Sequence, residues 1–122
     1  VSQTKGTAMY LDWNDYRRQL KAGVGEIGRL SPDTVRGYVG LSSAGQKKDV
    51  LGAKTRELIA IAVAVTLRCD GCITSHVDAA IGLGATEDEI AEALGVAVAL
   101  NAGAALVYST RVMDAYRNHQ AT

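Results

Sequence analysis

Apolar side chains recur at helical spacing along almost the whole chain. From Asp12 to Leu30, Trp13, Tyr16, Leu20, Val24 and Ile27 fall three or four residues apart, which places them on one face of an amphipathic helix. Ser31-Pro32 supplies an N-cap and a first-turn residue for a second helix through Val35, Tyr38, Val39 and Leu41. Gly45 and the polar run Gln46-Lys47-Lys48-Asp49 are expected to end it. Between Lys54 and Arg68 the pattern changes. Leu58, Ile59, Ile61, Val63, Val65 and Leu67 put apolar groups on every side, and a helix of that kind must be covered on every side. The length of the segment and its alanines favour helix over a buried strand. A further helix runs from Cys69-Asp70-Gly71-Cys72 to Leu83, with Gly84 suited to the left-handed position that follows. Thr86 and Glu89 form a capping box, and Glu87 and Asp88 favour the helix dipole. That helix is expected to reach about Leu100, with a break at Asn101-Ala102-Gly103 before a last helix ending near Asn118.

The pattern therefore predicts an all-α fold, a compact helical bundle of about six helices. Residues 1–10 form an N-terminal tail, and residues 11–118 a single domain. Ala93 to Thr110 carries no formal charge, but it is rich in Ala and Gly and interrupted by Asn and Gly. A membrane span needs about 20 strongly apolar residues, so burial between helices is the better account. The segments Ile59–Leu67 and Ala93–Leu106 are both expected to be buried on several faces.

Composition adds a second expectation. A chain of 122 residues can form one core, yet this one has no Phe, one Trp and one Pro. Its many small side chains bury little area each, which predicts a homo-oligomer in which neighbouring copies add burial. Thirteen basic residues balance thirteen acidic ones, leaving no electrostatic footprint for nucleic acid or an anionic membrane. No signal-peptide pattern opens the chain, and the missing initiator Met is expected to reflect either a trimmed N-terminus or a sequence cut short. Two cysteines in one CxxC fit a reducing cytoplasm.

The chemistry centres on Cys69, Cys72 and His76. A thiolate attacks peroxides and disulfides far better than a thiol, and a helix N-terminus, a base and a cation all favour it. A helix start at the pair, His76 and Arg68 offer all three. Glu57 enters an apolar helix and needs a partner. Each residue also has a plainer reading. The cysteines could be small buried hydrophobes, His76 a core histidine, and Glu57 the surface partner of Lys54 or Arg56; His119 lies in a polar tail and is expected to be solvated. A thioredoxin-like unit needs a βαβ context that is absent, and c-type haem needs a histidine where Ile73 stands. A zinc-stabilised interaction module could use Cys69, Cys72 and His76, but its fourth ligand would have to be Glu57 or His119, neither at usual spacing. Nucleophile, second thiol, base and base-orienter together point to thiol chemistry. No metal, flavin or nucleotide motif accompanies them, so no cofactor is expected.

Thr55-Arg56-Glu57-Leu58-Ile59-Ala60, Cys69-Asp70-Gly71-Cys72, His76, Ala80, Gly84-Ala85-Thr86 and Glu89-Ile90 closely resemble the alkylhydroperoxidase D-like proteins of the carboxymuconolactone decarboxylase family. The likeness is loose over residues 11 to 118 and sharp from Glu57 to Ile90. It implies an all-helical trimer or hexamer that reduces a hydroperoxide substrate with thiols and draws on an external dithiol or redox-protein reductant. By this resemblance Cys72 corresponds to the peroxidatic cysteine, Cys69 to the resolving one, and Glu57 and His76 to the proton relay. The spacing agrees, because His76 lies four residues after Cys72 and seven after Cys69, although the dipole at the helix start favours Cys69. Gly71 stands where the well-studied peroxidases carry a histidine, so the relay is one member short. The decarboxylase branch generally lacks the cysteine pair and is the alternative.

Glu57 lies twelve residues before Cys69, about 18 Å of helix. If the two helices fold back on each other, the carboxylate is expected to overshoot the imidazole, leaving a water, a bent helix end or a second subunit to bridge them.

Overall fold

The computed structural model describes residues 10–121. The expected tail, apart from Tyr10, lies outside the described residues. Among those residues there are five α-helices and no strand: α1 Trp13–Leu30, α2 Pro32–Lys48, α3 Ala53–Leu67, α4 Asp70–Gly82 and α5 Glu87–Arg117.

Local chemistry explains most of the boundaries. Asp12 caps α1, its carboxylate accepting the Asp15 backbone N–H at 3.1 Å. Pro32 opens α2, while the Ser31 hydroxyl pairs with that of Thr34 at 2.8 Å instead of capping the backbone. Gly45 does not end α2. The helix runs on to Lys48 and closes on Asp49, which takes a left-handed conformation at φ 46°. Gly84, at φ 84°, takes the left-handed position after α4 as expected. The capping box forms at α5: Thr86 Oγ1 accepts the Glu89 N–H at 3.1 Å, and Glu89 Oε1 accepts the Thr86 N–H at 2.9 Å.

The expected break at Asn101 is absent, which is why there are five helices. Asn101 lies inside α5 and donates to Ala97 O at 2.7 Å and to Thr66 Oγ1 at 2.9 Å. A partner on α3 satisfies the amide that would otherwise have competed with the helix. Lys54 forms a second tie between these helices, donating to Glu89 Oε2 at 2.9 Å. Lys54 to Thr66 and Glu89 to Asn101 are both twelve residues, so α3 and α5 run side by side in the same direction and in register. α3 also packs on α4, and α4 on α1, which in turn packs on α2.

The core of this chain is small. Among the described residues, Ile61 and Ala64 of α3, Thr74 and Ala80 of α4, and Ala97 of α5 are the buried ones, and α1 and α2 contribute none. The alanines let helices approach closely where α3, α4 and α5 meet. The expected burial of α3 and α5 on several faces is not realised among the described residues of one chain. Ile59, Val63 and Leu67 are exposed on α3, as are Val96, Val98, Leu100 and Leu106 on α5, with Leu106 at 74%. α5 is long and apolar enough to cross a membrane by length and composition alone. Among the described residues it packs mainly on α3, which can cover one side of it.

Candidate active site

The turn between α3 and α4 carries the cysteines. Arg68 ends α3 in a left-handed conformation, φ 56°, which disfavours a non-glycine residue by about 1–2 kcal/mol. That reversal lets the Cys69 N–H reach back to Ala64 O at 3.1 Å. Cys69 is then the N-cap of α4, and its Sγ accepts the Cys72 N–H at 3.2 Å. The sulfur thus sits where the first unpaired backbone donors of the helix point. Cys69 and Cys72 are joined as a disulfide with Cα atoms 5.3 Å apart, and both residues are half-buried. The side chain of Arg68 is exposed.

One helical turn beyond Cys72, His76 Nδ1 meets Glu57 Oε1 at 2.7 Å within the same chain. The bond is direct, so no water, bent helix or second subunit is needed. From Cys69, Glu57 lies twelve residues back and His76 seven on; the offset of five residues is about 7.5 Å of rise. A glutamate and an imidazole leaning towards each other span it. The plainer pairings of Glu57 are also closed, because Lys54 is taken by Glu89 and Arg56 by Asp49 at 2.8 Å. An ionised Glu57 places the imidazole proton on Nδ1 and leaves Nε2 as the ring's acceptor. The pair is half-buried, with side-chain exposures of 33% for His76 and 22% for Glu57.

Cys69, Cys72 and His76 line one groove of about 600 Å³, together with Gly71 and Ser75 of α4. The opposite wall comes from α1 and α2: Leu20, Val24 and Ile27, then Val35 and Tyr38, with Arg17 and Lys21 at the edge. The α1 stripe has the periodicity of a core face, and the packing turns it into a groove wall instead. Arg17 anchors that wall to α4 by donating to the buried Thr74 hydroxyl at 3.2 Å, while its other arm donates to Asn14 Oδ1 on α1 itself at 2.8 Å. Nothing local in the sequence marked Arg17 or Leu20 as part of the site, because their role depends on how α1 docks on α4.

His119 is exposed at the end of the chain, as expected. Among the described residues, no group of three or more His, Cys, Asp or Glu side chains is arranged to hold a metal ion. Glu57 is engaged by His76, so the zinc ligand set considered from the sequence is not assembled.

The chain is 47% identical over 108 residues to an uncharacterized protein of Haemophilus influenzae, covering 88% of this chain and 96% of that relative. It is 35% identical over 95 residues to uncharacterized protein 4 in the cox locus of Paracoccus denitrificans, covering 78% and 86% of the two chains. Its fold is similar to the crystal structure of a carboxymuconolactone decarboxylase family protein from Legionella pneumophila, with a TM-score of 0.69, 31% identity and coverage of 86% and 94%. A crystal structure from Methanobacterium thermoautotrophicum is similar at a TM-score of 0.64 and 30% identity, over 69% of this chain and 94% of that one. The sequence profile of the carboxymuconolactone decarboxylase family matches residues 32–115. The chain belongs to the carboxymuconolactone decarboxylase family.

Proposed function

We propose that this protein is a thiol-dependent peroxidase that reduces hydroperoxides through the Cys69/Cys72 dithiol. The observation that carries this reading is the convergence on one groove of the cysteine pair and of His76, which Glu57 holds from behind by a direct hydrogen bond. In the reduced protein, His76 takes the Cys72 proton on Nε2, and Glu57 stabilises the resulting imidazolium. The Cys72 thiolate attacks the terminal oxygen of the hydroperoxide. The O–O bond breaks, an S–O bond forms, and the alkoxide leaves as an alcohol after protonation. Cys69 then attacks the sulfenic acid, expelling water and closing the disulfide. An external dithiol or a redox protein returns two electrons and two protons to the pair.

The Cys69–Cys72 disulfide corresponds to the oxidised member of this cycle, and the N-cap position of Cys69 favours its thiolate as leaving group when the disulfide is reduced. Gly71 leaves His76 and Glu57 as the proton-handling pair, without the additional histidine of the well-studied relatives. The cycle operates in a reducing cytoplasm, in a homotrimer or homohexamer whose further copies cover the exposed apolar faces of α3 and α5.

The Glu57–His76 pair also supports a second reading, since an acid–base couple needs no thiol to act on a decarboxylation substrate. Hydroperoxide turnover with a dithiol reductant, measured beside the Cys72→Ser protein, separates the two. The peroxidase turns over hydroperoxide beyond one equivalent only with the dithiol present and loses that activity on substitution. Wild-type protein that consumes none under these conditions overturns the peroxidase reading.

A further inference from the structure

We propose that Leu20 of α1 is a specificity-determining residue, which makes the dithiol site prefer bulky apolar hydroperoxides over hydrogen peroxide, with Gly71 as the space it fills. The preference rests on the peroxidase reading above; the placement of Leu20 against the dithiol turn does not.

Gly71 sits between the two cysteines in the first turn of α4, where glycine weakens a helix relative to alanine. Its φ is not positive, so no left-handed backbone requires it. Packing supplies the reason. A Cβ on residue 71 would lie 2.9 Å from Leu20 Cδ2 and 3.5 Å from Cδ1. The absent side chain lets α1 lay a leucine directly on the dithiol turn, and any other residue displaces it. Arg17, one turn earlier on α1, fixes that approach through its bond to buried Thr74.

Leu20 is also the first member of the apolar wall that continues through Val24 and Ile27 to Val35 and Tyr38. The groove, at about 600 Å³, has the size of a small-molecule site and far exceeds what hydrogen peroxide fills. An alkyl or aryl group on the distal peroxide oxygen leaves water against this wall as Cys72 attacks, whereas hydrogen peroxide has no such group to bury. The electron balance is unchanged: the dithiol gives two electrons, the hydroperoxide becomes an alcohol and water, and an external dithiol restores the pair.

The test measures kcat/KM for cumene hydroperoxide and for hydrogen peroxide on the same preparation, so that any loss of folded protein cancels in the ratio. Leu20→Ala should lower the cumene-to-hydrogen-peroxide ratio by about tenfold, while Leu20→Met keeps it near wild type. Gly71→Ala, which pushes Leu20 aside, should lower the ratio too, and should have no further effect in the Leu20→Ala background. A ratio that stays within about twofold of wild type in Leu20→Ala overturns the proposal. A separate measurement is independent of peroxide turnover: alkylation of the reduced protein by N-phenylmaleimide and by iodoacetamide. Leu20→Ala should lower the rate ratio of the apolar to the polar reagent several-fold, and an unchanged ratio removes Leu20 from the approach to the thiols. Wild-type protein inert to both peroxides, but showing the alkylation effect, refutes the peroxidase reading and retains the placement of Leu20.

Discussion

α3 and α5 are both apolar around most of their circumference, yet they contribute differently to the molecule. α3 lies between α4 and α5, carries two of the five buried residues, and delivers Glu57 to His76. α5 is twice as long, buries only Ala97, and leaves Val96, Val98, Leu100, Leu106 and Val107 exposed. Apolar periodicity is thus satisfied in two ways. In α3 it builds the scaffold of a site within one chain; in α5 it leaves a face that the described residues do not cover. That face is the one the proposed oligomer would cover.

The largest expected effect lies on the α3–α4 side. His76→Ala should lower hydroperoxide turnover by about 10²–10⁴-fold, the range of a general base, and Glu57→Ala should act in the same direction. Alkylation of the reduced protein by iodoacetamide at neutral pH should slow in His76→Ala. An unchanged pH profile of alkylation would remove His76 from thiol activation.

On the α5 side, Leu106→Glu should reduce the mass seen by light scattering from trimer or hexamer towards a single chain, because a carboxylate cannot be buried unpaired between copies. A wild-type monomer at micromolar concentration would remove the contrast drawn above. Ile61→Ala, in the packed part of α3, should destabilise the protein by about 2–5 kcal/mol in chemical denaturation. A change below about 0.5 kcal/mol would place Ile61 among ordinary surface positions.

The smallest effect concerns the polar tie between the same two helices. The Lys54 ammonium, and then the Thr86 N–H, hold the Glu89 carboxyl below the ordinary carboxylate value of 4.5. A lowered folded-state pKa contributes stability that is fully present above that value and is lost as pH falls through the folded-state pKa. The bridge is solvent-exposed, so Lys54→Ala should produce only a slight narrowing of this acid dependence. Equal acid sensitivity of Lys54→Ala and wild type would show that the bridge makes no contribution.

Much of this was legible in the sequence because much of it is local. Asp12 at the start of α1, Pro32 at the start of α2, and the Thr86–Glu89 box depend on neighbours within three or four residues. The CxxC, His76 and Glu57 were legible as reactive types at a specific spacing. What escaped depends on docking between helices. Asn101 reads as a breaker until Thr66 is placed beside it, and Leu20 reads as a core residue until Gly71 is seen to admit it. The meeting of Glu57 and His76 lay between these cases, since the residue types implied it while helical rise argued against a direct contact.

The role of Cys72 is decided by mass spectrometry of the reduced Cys69→Ser protein after one equivalent of hydroperoxide, with a sulfenic-acid trap present. One trapped sulfenic acid is expected on Cys72, and no comparable product in Cys72→Ser. A sulfenic acid on Cys69 of the Cys72→Ser protein, formed at the wild-type rate, would reverse the roles of the two thiols. Unmodified cysteines and unconsumed hydroperoxide in both variants and in the wild type would contradict the dithiol peroxidase altogether.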